Sequence, residues 1–508
     1  MGLKEKTINN AIWSAAGFVL PLILFLITTP YYQGKLGSTQ FGILFLVLAI
    51  IGYLSIFDLG FSSATLKYLS EFVGKQDHKK INQIIDGSFT IYLILGIFGS
   101  LILFFSVDFI VDIFKIESKY VEVSKFAFYA VSIAFTFKML STVFNALIMA
   151  FQRYDLKTKV GVVFSTANLM GGVFLLYFGF GLRAIIIWYF LLIALQLPIF
   201  VVICRILFPE FRIHLSMEKN ILKMLFNFSW PAFISGVSGM LLFQFDKALI
   251  GAIVGVAAVT FYTVPAELSI RIHSFLASTS QVIFPLSSEL NAKEDRFRLQ
   301  HLYFKSSKII IILATSVIVP LLVFSDKIIS LWMGVDFAIK TGFVLPVLLI
   351  SYYTVIFTIV PYYFLNGLNK PKVNALYSFF SFLLNVTACL ILIPRYGING
   401  AAIATFIGML QVPFYFWTFH KIAGFSIKEL LGKIFLKIWI IGFIQFIIIK
   451  FLLYNSVDGI TSLLVSLFAG FGIFYVLFVL FHFYDDDDKS IVLSFISHYF
   501  LPKIRRSI

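Results

Sequence analysis

Glu267 and Arg271 stand four residues apart in PAELSIRIHSF, residues 265–275. On a helix this places an acid one turn before a base, the order that favours an ion pair. Two chemistries are open to such a pair: mutual neutralisation, or contact of either partner with a substrate or a coupling ion. Asp58 and Lys138 pose the same question, because each lies within a long apolar run. A charge at the centre of a membrane helix costs roughly 2.5–3.5 kcal/mol. Four such charges facing lipid would cost on the order of 10 kcal/mol, comparable to the stability of a whole domain. All four are therefore expected to face a hydrated cavity. For Lys138 the bland readings are snorkelling or pairing with Asp58, and the functional one is ligand contact. Asp58 falls about 26 Å along its helix from Phe41, toward the cytoplasmic end and beside Lys67. A helix cap, a partner for Lys67 and part of a gate all fit that position. The small residues Gly60, Ser62, Ser63, Ala64 and Thr65 around it allow close helix contact. The amides Asn145, Asn168, Gln196, Gln244, Asn366, Asn385 and Gln411 add polarity within the apolar segments, as helix glue or as ligand contacts.

The elements that position these residues follow from composition. The chain has 508 residues, of which 60% are hydrophobic and only 13% charged, and its mean hydropathy is +0.96. A soluble domain is usually about a quarter charged, so this chain reads as an all-α integral membrane protein. At about 20 apolar residues per span, fourteen segments can be counted, beginning near residues 11, 41, 83, 123, 160, 184, 222, 255, 307, 342, 373, 400, 433 and 460. With a cytoplasmic N-terminus, 28 of the 40 Lys and Arg fall on the inside, 10 outside and two within spans. That asymmetry is the positive-inside rule, so the net charge of +15 reports topology and anionic lipid head groups rather than nucleic acid. Residues 11–32 read as a first membrane helix rather than a cleavable signal, and Asp485–Asp488 as a solvated helix end. Two cysteines, Cys204 and Cys389, both in apolar runs, argue against a disulfide framework or a thiolate metal site.

An internal repeat organises the spans. Asn10-x-x-Trp13 matches Asn227-x-x-Trp230, Asp108 matches Asp326 and Asn168 matches Asn385, all at spacings of 217 or 218. Gly181 with Gly397 and Gln196 with Gln411 follow at 216 and 215. Several weak matches at one near-constant offset point to two parallel six-helix repeats, helices 1–6 and 7–12, around a central cavity. The expected organisation is an N-terminal bundle at 1–207, a polar cytoplasmic linker at 208–220 with room for a short surface helix, and a second bundle at 221–420. Two additional helices at 433–484 and a cytoplasmic tail at 485–508 complete it. Two like-oriented bundles suit alternating access about a midplane site.

No phosphate loop, H-E-x-x-H or G-x-S-x-G motif occurs, and no connection is long enough for a soluble catalytic domain. The chain is thus expected to be no enzyme and to need no cofactor or metal. IFDLGFSSATLKYLSE (56–71), the N-x-x-W opening, LGSTQFG (36–42) and FDKALIGAIVGVAAVTFYTVPAEL (245–268) resemble the Wzx-type polysaccharide flippases of the multidrug/oligosaccharidyl-lipid/polysaccharide exporter superfamily. That resemblance implies translocation of an undecaprenyl-pyrophosphate-linked oligosaccharide unit for O-antigen, capsule or exopolysaccharide synthesis in the bacterial cytoplasmic membrane. It also implies a polysaccharide polymerase or co-polymerase as a candidate partner, beside membrane lipids. A pyrophosphate calls for cationic ligands, for which Arg271, Lys138 and Lys67 are the candidates. Asp58 or Glu267 would bind a coupling cation or gate the site, and Asn145, Asn168, Gln244 and Asn385 would contact sugar. A multidrug or metabolite cation antiporter and a lipid II-type flippase are the alternatives. The lipid II flippases typically carry arginines in their first two helices, and this chain has none before Arg153.

Overall fold

The computed structural model describes residues 3–483, and no strand occurs among them. Asp485–Asp488 and the tail at 485–508 lie outside the described residues. In chain order the helices are α1 (Leu3–Tyr53), α2 (Phe61–Gly74), α3 (His78–Phe105), α4 (Val107–Ile113), α5 (Ser118–Ala150), α6 (Tyr154–Tyr177) and α7 (Leu182–Leu207). There follow α8 (Lys219–Ile253), α9 (Val256–Thr279), α10 (Ile283–Ala292), α11 (Arg296–Val323), α12 (Ser325–Met333), α13 (Val335–Thr341) and α14 (Val344–Gly367). The last are α15 (Pro371–Met409), α16 (Val412–Ala423), α17 (Ile427–Leu430), α18 (Leu436–Ile448) and α19 (Ile460–Leu480).

Ten spans among the described residues are long and apolar enough to cross a membrane. Large apolar side chains such as Phe105, Phe443 and Phe468 stand exposed on them, as a lipid solvent permits and water does not. The chain is a multi-pass membrane protein. Two of its longest helices are internally broken. Backbone φ is +71° at Gly37 in α1 and +57° at Gly397 in α15, a left-handed conformation that glycine adopts without a steric penalty. Two helix starts are capped by aspartates: the Asp77 carboxylate accepts from Lys80 N at 3.1 Å and that of Asp295 from Arg298 N at 3.0 Å.

Contacts group the chain into two compact units. The first comprises residues 1–275, 339–348 and 371–411. In it α3 packs on α5, α5 on α7, α1 on α6 and α8 on α15, with α2 against α5 and α8. The second comprises 276–338, 349–370 and 412–508. Its described part centres on α11, which packs against α10, α18 and α19. There Gln445, fully buried on α18, donates to Gly470 O at 2.9 Å and joins α18 to α19.

The linker carries no surface helix; residues 211–218 run in extended form along α3 instead. Asn82 Oδ1 accepts from Arg212 N at 3.1 Å, Asp86 Oδ1 from His214 N at 2.7 Å and Thr90 Oγ1 from Ser216 N at 2.9 Å. Every fourth residue of one helix face thus binds every second residue of the strap. His78 Nδ1 closes the start of the strap on Glu210 at 2.7 Å. These side-chain acceptors supply what a helix hydrogen-bonded to itself would have supplied, so the segment stays extended. Replacing Asn82 and Asp86 together by alanine should release the strap. Limited trypsinolysis of the purified chain should then cleave after Arg212 several-fold faster than in the wild type.

Candidate functional site

A cavity of about 330 Å³ lies within the first unit. Its walls come from five helices: Phe25, Thr28, Thr29, Tyr32, Phe41 and Phe45 of α1, Ser165 and Asn168 of α6, Tyr189 of α7, Lys247 of α8, and Glu267 and Arg271 of α9. Both arms of α1 contribute, because the break at Gly37 folds Phe41 and Phe45 back toward the same space as Phe25 and Tyr32. Gly172 on α6 lets Tyr32 in; a Cβ there would overlap the Tyr32 hydroxyl. That hydroxyl donates to Leu169 O at 3.2 Å, anchoring the ring in the wall.

The charged wall is a trio. Glu267 Oε1 lies 3.2 Å from Lys247 Nζ, and Oε2 lies 3.6 Å from an Arg271 terminal nitrogen. The Lys247 side chain is only 5% exposed, against 25% for Glu267 and 31% for Arg271. The guanidinium rests 4.6 Å from the Phe25 ring centre, a cation–π contact. Its Nε is buried without a protein acceptor. The trio carries a formal charge of +1, and Arg271 retains donor capacity that Glu267 does not fill. The rest of the lining offers hydroxyls, an amide and five aromatic rings. Cationic donors suit anionic oxygens, hydroxyls and amides suit sugars, and aromatic faces suit apolar or pyranose surfaces.

The expected residues divide. Glu267, Arg271 and Asn168 meet in this cavity. Asp58, Lys67, Lys138, Asn145 and Asn385 do not line it. Asp58 caps α2, accepting from Ser62 N at 3.2 Å and Ser62 Oγ at 2.8 Å, and Tyr92 donates its hydroxyl to the same carboxylate. It makes no ion pair with Lys138, which is exposed on α5 and unpaired among the described residues. Lys67 is exposed and lies 4.5 Å from the Tyr68 ring centre. Asn145 donates to Ser141 O of its own helix at 3.0 Å. Asn385 is buried within α15, packed where Gly408 approaches, and its Nδ2 has no acceptor. Gln244 falls on α8, but its side chain lies outside the described residues.

Lys247 is the residue that sequence reasoning missed. Counting about 20 residues per span puts it in an outside loop, whereas α8 runs 35 residues, about 52 Å. The overlooked signal is Asp246-Lys247 inside FDKALIGAI, with no turn residue before it. Asp246 is buried too, accepting from Lys247 N at 2.8 Å and from the Tyr262 hydroxyl, which in turn lies 3.2 Å from Thr405 Oγ1.

Residues 36–338 match the family described as polysaccharide biosynthesis protein. The chain belongs to that family. Two relatives are similar over most of the chain. A candidate O-antigen transporter of Shigella flexneri is 22% identical over 407 residues, covering 78% of this chain and 93% of its own length. A candidate low-salt glycan biosynthesis flippase, Agl15 of Haloferax volcanii, is 23% identical over 402 residues, covering 74% of this chain and 75% of its own. Among solved structures, the lipid II flippase MurJ in an inward closed conformation superposes with a TM-score of 0.74 at 15% identity, covering 94% of this chain and 99% of that one. An inward-facing multidrug resistance transporter of the MATE family, itself of the MOP superfamily, superposes at a TM-score of 0.70 and 14% identity, covering 79% of this chain and 94% of that one. At these identities the structural likeness speaks to fold alone.

Breaking a buried ion pair from one side leaves an uncompensated charge, at a cost of about 3 kcal/mol or more. Lys247→Met should therefore lower the melting temperature of the purified chain more than Arg271→Met does. Adding Glu267→Gln to Lys247→Met should recover part of the loss, measured by thermal unfolding in detergent.

Proposed function

We propose that this family member is a flippase that moves undecaprenyl-pyrophosphate-linked oligosaccharide units across the bacterial cytoplasmic membrane by alternating access. The observation that carries the reading is the cavity wall in which Lys247 and Arg271 stand together within the first unit, with Arg271 Nε lacking a protein acceptor. A pyrophosphate offers oxygens to both cations, Asn168, Thr28 and Thr29 offer hydrogen bonds to a sugar, and the aromatic rings offer it a stacking face. The relatives named for O-antigen transport and glycan flipping give the same substrate class. Lys138 and Lys67 would serve the path of the head group rather than this cavity. Gln244 would contact sugar elsewhere on that path and Asp58 would gate it at the start of α2, whereas Asn145 and Asn385 turn to their own helices and are left out of the contacts. The direction is from the cytoplasmic to the outer face, with both termini cytoplasmic and a polysaccharide polymerase receiving the product.

The same reading takes fourteen crossings, twelve of them in two parallel six-helix repeats at 1–207 and 221–420 and two more at 433–484. Supporting it, the breaks at Gly37 and Gly397 divide two of the ten spans, and α8 and α9 add two more long helices. Positive φ also recurs at a nearly constant spacing of 217 to 219: Gly37 and Gly255, Gln76 and Glu294, Lys115 and Gly334, Gln152 and Asn369, Gly179 and Gly397. The capping aspartates Asp77 and Asp295 follow the same interval. Turns recurring in this way are what a duplicated unit leaves behind after side chains have diverged.

A strain lacking the chain should accumulate lipid-linked repeat units on the cytoplasmic face. Wild type should clear them, and Arg271→Ala should leave at least ten times more than wild type, measured by mass spectrometry of extracted lipids. Absence of accumulation, with gained resistance to cationic dyes on expression, would favour the cation antiporter instead.

A further inference from the structure

Two helical arms of the first unit begin at a left-handed glycine and then meet. The arm of α1 that carries Ser38 and Gly42 follows Gly37, where φ is +71°, and α9 follows Gly255, where φ is +124°. Thr260 Oγ1 donates to Ser38 O at 2.8 Å. From the other side, Gly42 faces Val256 O so closely that a Cβ on it would overlap that carbonyl and stand 3.2 Å from Thr260 Oγ1. The contact is reciprocal. On each arm the first residue after the glycine offers its carbonyl, and the fifth meets the carbonyl of the other arm. Such reciprocity arises where like elements meet on the axis that relates them, and Gly37 and Gly255 stand at the interval of the repeat.

The crossing lies at one end of the cavity. Phe41, between Ser38 and Gly42, lines that cavity, and Glu267 lies about 10 Å further along α9 than Thr260. Away from the cavity the chain is exposed at Gly34, Lys35, Ile253 and Val254. What holds the arms together here is slight: one hydrogen bond between neutral groups, with glycine on one arm where the other has threonine. A second threonine, at position 42, would collide with the Val256 carbonyl, and a second glycine, at 260, would leave no hydroxyl to bond. On the flippase reading above, with its repeats and cytoplasmic termini, we propose that this crossing is the gate that closes the cavity toward the outer face. Gly42 lets the arms shut, the Thr260 hydroxyl latches them, and a head group leaving outward must part them at this point. Exchanging a neutral hydrogen bond for one to water costs little. The latch can therefore release in every cycle, which a buried ion pair at the same place would resist.

The test uses the full-length chain in right-side-out membrane vesicles, with Ser165→Cys as a reporter on the cavity wall. The native thiols Cys204 and Cys389 are both buried and give the background. The reagent is the small, membrane-impermeant anion sulfonatoethyl methanethiosulfonate, applied from outside. Adding Gly42→Val to the reporter chain should speed modification ~10-fold and adding Thr260→Val ~5-fold, whereas Thr260→Ser, which keeps the hydroxyl, should leave the rate unchanged. Gly42→Ala, which adds the Cβ alone, takes the place of Gly42→Val if that variant does not fold. Equal rates in all these chains, or slower modification in the gate variants, overturn the gate and leave the flippase reading intact. A gain confined to inside-out vesicles overturns it too, by placing the crossing on the cytoplasmic face. The measurement needs no lipid substrate. Gate variants that respond as expected, in a chain whose deletion accumulates no lipid-linked units, would support the gate and reject the flippase reading alone.

Discussion

A charge within hydrocarbon must be matched or hydrated, and the first unit is organised around that constraint. Lys247 is nearly sealed from solvent. Isolated, it would be costly enough to lose its charge or unfold its helix. Glu267 matches it, and Arg271 then makes the cluster net positive. Once those three residues must meet, α8 and α9 must approach, and the walls of the cavity follow. The arm of α1 beyond Gly37 packs beside them, with Thr260 of α9 donating to Ser38 O at 2.8 Å.

Small residues and tyrosines complete the arrangement by geometry rather than by charge. Gly172 admits the Tyr32 hydroxyl, and Gly171 admits the Trp188 indole, whose Nε1 donates to Ala167 O at 3.0 Å. Both glycines belong to α6, so this helix can carry large aromatic neighbours at close range while presenting Ser165 and Asn168 to the cavity. The result is a wall polar at a few points and otherwise apolar, the usual make-up of a ligand pocket.

Much of this was legible in the sequence because charge is rare in it. The pairing of Glu267 with Arg271 follows from their spacing, and the membrane class from composition. Asn168 could be placed among polar residues within spans, though not distinguished from Asn145 or Asn385, whose side chains turn to their own helices. Asp58 illustrates the limit: its neighbours suit a cap and a gate equally, and only the positions of Ser62 and Tyr92 show what its carboxylate touches. Lys247 was hidden by a ruler, since a helix of 35 residues overruns the thickness assumed for one crossing. Tyr32 and Tyr189 gave no signal among 23 tyrosines, because what selects them is the fold around them.

The strap on α3 has a built-in vernier. Four residues of helix advance about 6.0 Å, whereas two residues of extended chain advance about 6.6 Å. The two scales slip by about 0.6 Å per rung, so the three rungs at Asn82, Asp86 and Thr90 stay within bonding range and a longer ladder would drift out of step. The number of linker residues that can lie flat is therefore limited by arithmetic, and any extra length inserted there must arch away from the helix.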